Sequence, residues 1–372
     1  MSKCTIDSAP FKKLVASAVK GAGKSELLLT LCLNIEVKGD TITFVTTDIV
    51  SHTKVSAPIV HPGSEDLFTC VNSEMFGKLV SKLPDEGTVT LTSTESALEV
   101  FSSKTGGKYP FAVIPDEEGN CVRIPLKTVT APSQEVDLDD LKSLLKYNKA
   151  SVRTDSNMPA YKGYYACAQG VFSYDGIGSG GVSGNACLNL RKITDTPIMF
   201  PPAFVELFNI LESGKGSISF DGKLVKVVGG GVELVGETLV DNVALYPAQV
   251  LLELKDTNSE SFITANRANT LSCLDRLLIF ANEEDLYATN ITFNAQGIIV
   301  NVYDTTAVEK IEPEDSDVKK EVSYYINIMD LRRMVALFKE ENVTFTFGSD
   351  NGLTLEADNV VQFIPYMESD EE

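Results

Sequence analysis

Along the chain, one alternation of apolar and polar positions recurs three times: a short stretch at helical spacing, a turn, then period-two alternation. In Ser73–Ser102, Phe76, Leu79, Val80 and Leu83 fall on one helical face ahead of alternating strand residues. From Pro201, the residues Phe204, Leu207, Phe208 and Leu211 repeat that spacing, and from Asn327 so do Leu331, Met334, Val335 and Phe338. Aligning Leu83 with Leu211 and Phe338 gives offsets of 128 and 127 residues, close to one third of the chain. Self-similarity at a fixed period is the signature of a repeated structural unit. The pattern therefore predicts three tandem domains of about 124 residues, at 1–130, 131–250 and 251–372.

Each copy carries a second helical candidate upstream: Ala9–Gly21, Val136–Val152 and Thr264–Glu284. The middle one has Asp in its first turn and Lys toward its end, as the helix dipole favours. Between the helices lie strand-like stretches: Thr41–Pro58, Gly170–Gly178 and Ile291–Asp304. Each copy closes on an apolar or aromatic strand near a proline, at Lys108–Pro115, Val243–Pro247 and Val361–Met367. The fold class predicted is α+β: per domain, two helices packed on antiparallel sheets of about eight strands.

Composition narrows the function. Apolar residues are 43% of the chain and charged residues 23%, as in a folded protein. The longest apolar runs, Leu27–Leu33 and Ile298–Val302, are strand-sized, and no secretory signal is visible, so the expectation is a cytoplasmic protein without a membrane segment. Seven scattered cysteines with no CxxC pair read as buried free thiols in a reducing compartment. With two histidines only, His52 and His61, neither a catalytic triad nor a His-based metal site is expected.

Two glycine motifs resemble nucleotide sites and fail on context. Gly21–Ser25, GAGKS, lacks the first P-loop glycine, since Ala18 stands there, and it follows a helix rather than a strand. It reads as a helix end, with Gly21 and Gly23 free to adopt left-handed turns. Gly176, Gly178 and Gly181 satisfy GxGxxG, but a strand rather than a helix follows. The acid runs Glu312–Asp317 and Glu368–Glu372 read as a solvated loop and tail. No nucleophile, acid–base pair or metal spacing supports an enzyme, and no cofactor is expected.

The formal charge is −20, from 52 acids against 32 bases, which by itself opposes nucleic-acid binding. Its distribution does not. Bases gather on the predicted helices: Lys12, Lys13 and Lys20; Lys78 and Lys82; Lys142, Lys146, Lys149 and Arg153; Arg267 and Arg276; Arg332 and Arg333. Acids gather in loops such as Asp116–Glu118 and Glu283–Asp285. Equivalent basic helices on repeated domains suit a surface around a polyanion, since phosphate contacts need no sequence reading.

The segments Val71–Leu91, Leu277–Glu284 and Ile326–Phe347, with the terminal Val360–Met367, resemble the bacterial-type sliding clamp, the β subunit of the replicative DNA polymerase. The resemblance spans essentially the whole chain. It implies a head-to-tail homodimer closing a ring around duplex DNA, a separate clamp loader, and tethering of a DNA polymerase through a peptide groove. It places Tyr161, Tyr174, Asp175, Gly176 and Ile177 on one groove wall, Pro247, Leu251 and Leu252 on the connector, and Asn327, Leu353, Ile364, Pro365, Tyr366 and Met367 on the other wall. The sequence departs from the family where Ile177 and Gly178 replace a basic pair and Met367 replaces the terminal arginine. The other readings are a three-domain protein-interaction module without DNA binding, and an enzyme using a Gly-rich loop.

Overall fold

The computed structural model describes residues 2–153, 158–178, 181–182, 184–257, 261–348 and 352–367. Its strands pair antiparallel throughout, in an α+β architecture. By contacts the chain divides into two units, Met1–Asp139 with Ala203–Thr238, and Asp140–Pro202 with Leu239–Glu372. This division runs differently from the three domains expected at 1–130, 131–250 and 251–372, because a long sheet in each unit takes strands from two of those spans.

In the first unit an eight-stranded sheet runs Leu67–Asn72, Cys32–Lys38, Thr41–Thr47, Ser51–Ala57, Val232–Glu237, Leu224–Gly229, Lys215–Phe220 and Gln134–Asp137. The joint between repeats is the pairing of Val232 with Val55, Leu234 with Thr53 and Gly236 with Ser51. A four-stranded sheet, Ser2–Asp7, Thr88–Ser93, Ala97–Ser102 and Lys108–Ala112, completes the unit. Helices Ser8–Ala18 and Ser73–Lys82 bury Phe11, Val15, Phe76 and Val80. Phe11 meets Phe44 and Phe76 edge-on at 5.9 and 6.2 Å, the preferred geometry for aromatic pairs.

The second unit has a nine-stranded sheet: Ile198–Phe200, Tyr164–Cys167, Gly170–Tyr174, Ala186–Asn189, Val360–Pro365, Gly352–Ala357, Asn342–Phe347, Ser261–Asn266 and Pro313–Asp317. A four-stranded sheet runs Val308–Ile311, Gly297–Val302, Ala288–Asn294 and Val322–Asn327. Helices Arg267–Leu277 and Ile328–Leu337 pack on a core that includes Ile263, Leu274, Phe293, Leu331 and Phe345. One capping device recurs: Asn72, Asn266 and Asn327 each end a strand and accept the N–H three residues on, which starts the next helix.

Four sequence expectations change. Val243–Pro247 is no strand: the helix Val240–Val243 ends there, and a helix Ala248–Thr257 that periodicity did not suggest follows. The Pro201 copy forms only a five-residue α-helix, Pro202–Glu206, continued by a 3-10 turn Leu207–Ile210. Leu27–Leu33 contains a one-turn helix, Leu28–Leu31, before its strand begins at Cys32. Glu312–Asp317 is largely an edge strand rather than a loop; its exposed acids discourage further strand addition. The run Glu368–Glu372 lies outside the described residues.

Candidate functional site

Two surfaces carry the predicted site residues. On the first unit, Lys12 reaches the end of the neighbouring helix, donating to Leu83 O at 2.5 Å and Asp85 Oδ1 at 2.6 Å. Lys13 pairs with Glu212, and Lys78 with Glu74 one turn away. Lys20 and Lys82 are exposed with no acidic partner among the described residues, and so is Lys24, which sequence reasoning did not include. Lys24 and Lys78 line a recess of about 620 Å³ with Gly23, Ser73, Gly77 and Ser81. The signal for Lys24 was present in GAGKS, read as a failed P-loop rather than as a basic turn beside a basic helix.

The GAGKS segment follows helix Ser8–Ala18 and its 3-10 extension Val19–Gly21, so its context is not that of a P-loop. Neither Gly21 nor Gly23 has positive φ, so the left-handed reading is corrected. What requires glycine is space: a Cβ at Gly21 would lie 2.2 Å from Thr53 Oγ1.

Elsewhere the basic residues are largely engaged. Lys142 is half-buried, while Lys149 and Arg153 are exposed. Lys146 donates to Tyr147 Oη at 2.6 Å with its ammonium 4.2 Å from the ring centre; burial, then Lys339, lowers its pKa. In the second unit Arg267 donates through Nε to Glu340 O at 3.2 Å. Arg276 holds Glu309 bidentately at 2.6 and 3.0 Å. Arg332 pairs with Asp275, and Arg333 with Asp330, both at 2.8 Å. Exposed pairs of this kind contribute about 0–1 kcal/mol each, so a phosphate can displace the carboxylate at little cost.

The second surface is aromatic and lies within the second unit. Tyr165 and Tyr246 stack at 4.3 Å and 3°, while Tyr174 meets Tyr246 at 5.2 Å and Tyr161 at 4.9 Å, both edge-on. Helix Ala248–Thr257 lays Leu251 into this cluster, with Leu252 half-buried at its margin and Pro247 at the helix entry. Leu245 and Val250 beside it are exposed, at 79% and 39%. Asp175 borders the cluster next to Gly176. Burial raises its pKa, its hydrogen bonds from Asn185 oppose that rise, and Asp330 adds to it. Asn185 itself bridges to Asp330 Oδ2 at 3.0 Å.

The structure places Tyr161, Tyr174, Leu251 and Leu252 in one cluster, with Asp175, Gly176 and Pro247 beside it, while Asn327, Leu353, Ile364, Pro365, Tyr366 and Met367 make other contacts. Leu353 and Ile364 oppose each other in register and are essentially fully buried, on the face that packs against the helices. Val361 and Phe363, at the alternate positions of that strand, are the ones packed with Tyr174 and Tyr246. Period two could have shown this, because residues one apart point to opposite faces. Asn327 is a helix cap and also donates to Leu286 O at 2.9 Å. Tyr366 stacks on Tyr324 at 3.7 Å, Met367 donates its N–H to Tyr325 O, and Pro365 pairs with Gly352. Ile177 and Gly178 form a hairpin with Gly181–Val182, with no helix following; the Ile177 side chain lies outside the described residues. Among the described residues, no group of three or more His, Cys, Asp or Glu is placed to hold a metal ion, and no helix is long and apolar enough to cross a membrane.

No protein-family model matches the sequence, and no curated protein is significantly similar to it. Solved structures do match in three dimensions. The DNA polymerase β subunit of Streptococcus pyogenes matches with a TM-score of 0.82 at 13% identity, over 99% of this chain and 100% of that one. The DNA polymerase sliding clamp of Bacillus subtilis gives 0.79 at 16% identity, over 99% of each chain. The DNA polymerase III β subunit of Thermotoga maritima gives 0.78 at 14%, over 99% and 100%. The chain thus has the sliding-clamp fold from end to end.

Proposed function

We propose that this protein is a processivity clamp: a non-enzymatic homodimer that encircles duplex DNA without reading sequence and tethers a DNA polymerase. The observation carrying this reading is the fold, matched over 99% of the chain to a DNA polymerase sliding clamp and to a DNA polymerase β subunit. The ligand chemistry agrees with it. At −20 the chain repels phosphate on average, so lasting attachment to DNA by affinity alone is disfavoured, and topology supplies retention instead. The basic residues facing DNA are Lys20, Lys24, Lys78 and Lys82, with Lys149 and Arg153. Lys78, like Lys12, Lys13, Arg276, Arg332 and Arg333, is balanced by a carboxylate, which keeps contacts weak enough to slide. Two open sheet edges, Lys108–Ala112 and Val308–Ile311, and the exposed Ile279 (78%) and Phe280 (56%), offer material for joining one copy to another. A separate ATP-driven loader opens that ring. The polymerase and loader bind by short apolar peptides at Tyr161, Tyr174, Pro247 and Leu252, where a buried aromatic floor provides the kind of pocket that carries affinity in small interfaces.

The test is retention. Protein loaded on nicked circular DNA is passed through a sizing column at raised salt before and after the circle is cut. Circles are expected to keep the protein and linear DNA to lose it, because salt strips ordinary phosphate contacts but does not open a ring. Equal retention on both forms refutes the proposal. A native mass of one chain, 40.3 kDa, where twice that is expected, refutes the dimer.

A further inference from the structure

Three of the seven cysteines, distant in sequence, converge in the first unit. Cys32 and Cys70 lie on neighbouring strands, with Cys32 opposite Asn72 and Asn34 opposite Cys70, so the two thiols sit diagonally on one face. Both are fully buried and pack with Val122 and Ile124, and Ile114, Leu29 and Cys121 close over them. The covering segment is pinned at several points. Ile114 N–H donates to Cys70 O at 2.9 Å, Val122 N–H to Ile114 O at 3.0 Å, and Asn34 Nδ2 to Val122 O at 2.8 Å. Asn34 Oδ1 in turn accepts from Ile124 N–H at 2.8 Å.

Cys121 differs from the other six thiols, which are all buried; it is half-exposed. It borders an open recess of about 740 Å³ floored by Leu28, Leu29 and Val122. Asp116, Glu117 and Arg123 also line the recess, and the Arg123 guanidinium lies 3.6 Å from the centre of the Phe68 ring. An accessible thiol at an apolar recess, backed by a buried thiol pair, is the arrangement of a reacting cysteine with a resolving partner. Of that pair, Cys70 is the thiol that Cys121 acts on: Cys32, burial and the nearby Cys121 all push the Cys70 thiol up, whereas Cys32 Sγ donates to Leu28 O at 3.2 Å.

We propose that Cys121 is a modification site for organic hydroperoxides, and that Cys70 resolves the product to a disulfide between the covering segment and the sheet. The Cys121 sulfur attacks the outer peroxide oxygen, and the O–O bond breaks. The alcohol leaves with the thiol proton, and Cys121 becomes a sulfenic acid. The Cys70 sulfur then attacks the Cys121 sulfur, the S–O bond breaks, and the hydroxyl departs as water with the Cys70 proton. Two thiols are oxidised, and one hydroperoxide is reduced to an alcohol and water. The apolar floor favours a hydroperoxide with a hydrocarbon tail over hydrogen peroxide. Formation of the disulfide fastens residues 121–124 to the strand Leu67–Asn72, two segments otherwise joined by hydrogen bonds and packing.

The experiment treats the full chain with cumene hydroperoxide at equimolar and excess levels, blocks remaining thiols, and maps the peptides by mass. The expected result is loss of two of the seven free thiols and a linked Cys70–Cys121 peptide. Hydrogen peroxide is expected to need higher concentration for the same loss. Cys121→Ser, at a half-exposed position, should fold and lose neither thiol under equimolar oxidant. Cys70→Ala should leave Cys121 as a sulfenic acid that a cyclic 1,3-dione traps; should that variant fail to fold, the linked peptide in the unsubstituted chain still decides. The proposal is overturned if Cys121 reacts no sooner than the buried cysteines, or if it stays a sulfenic acid while Cys70 remains a free thiol.

Discussion

Tyr246 offers a test in which the sign of the effect follows from its surroundings. It is 8% exposed, stacked on Tyr165 and edge-on to Tyr174, and its hydroxyl has no hydrogen-bond partner among the described residues. Burial holds its pKa well above the ordinary phenol value. Tyr246→Phe keeps both ring contacts and removes a desolvated hydroxyl, which is expected to stabilise by roughly 1 kcal/mol. In a unit of roughly 200 residues that corresponds to a Tm rise of about 2–4 °C. Tyr246→Ala removes the ring as well and should cost about 3–5 kcal/mol. The chain has no tryptophan and 12 tyrosines, four of them in this cluster, so near-ultraviolet circular dichroism of the tyrosines follows its melting together with that of the others. If Tyr246→Phe instead lowers stability by 1 kcal/mol or more, the hydroxyl is bonded in the folded protein and the reasoning fails. The same variants separate floor from wall in the proposed groove: Phe should leave peptide binding intact, and Ala should abolish it.

The remaining predictions concern the first unit and one helix cap. Gly21→Ala drives a methyl against Thr53 and should cost about 1–3 kcal/mol in urea unfolding; an unchanged midpoint would show that the space is not as tight as described. His52 is buried and accepts from Lys127 N–H through Nδ1. Burial lowers its pKa; Glu233 opposes that shift, and Lys127 and Lys54 add to it. The unfolded imidazole takes up a proton near pH 6.5 while the folded one resists, so stability should fall as pH drops below about 6.5 and level off below the folded pKa. Comparing urea midpoints of the unsubstituted chain and His52→Gln from pH 7.5 to 5.5 isolates this contribution, and parallel curves would refute it. Asn327→Ala should cost about 1 kcal/mol through loss of the cap, read as a shift in Tm, whereas a loss of peptide binding at unchanged Tm would return Asn327 to the groove.

The fold was legible where patterns were long and their periods unambiguous. Phe76 with Val80, and Leu331 with Met334 and Val335, announced helices that the structure contains. Ile291–Asp304 read as strand-like, and two strands there pair from Thr289 with Val302 to Asn294 with Gly297. Failure came where a short apolar run has no period of its own, as at Val243–Pro247, or where tertiary contact decides, as in helix Ala248–Thr257, held by Leu251 against an aromatic cluster drawn from distant strands. At the site the difficulty was which face a residue takes. Leu353 and Ile364 were read as wall residues and are core; their neighbours Val361 and Phe363 meet the tyrosines. Charge segregation was visible in the sequence, but its partial cancellation by Asp85, Glu212, Asp275 and Glu309 depended on contacts made by residues far along the chain.

The pairing of Ser51–Ala57 with Val232–Glu237 sets an order of events during synthesis. A nascent chain that has emerged only through residue 130 possesses every strand of its own repeat, yet the strand Ser51–Ala57 still presents a bare row of amides and carbonyls. That row stays unpaired until about a hundred further residues have left the ribosome, and the intervening Asp140–Pro202 belongs to the other unit. An exposed edge of this kind templates aggregation. Fragments cut at the repeat boundaries should therefore be poorly soluble, whereas ends placed at surface turns within an already paired hairpin, such as Gly222, leave every strand a neighbour once both pieces are present. Chain halves divided there are expected to be recovered best when co-expressed.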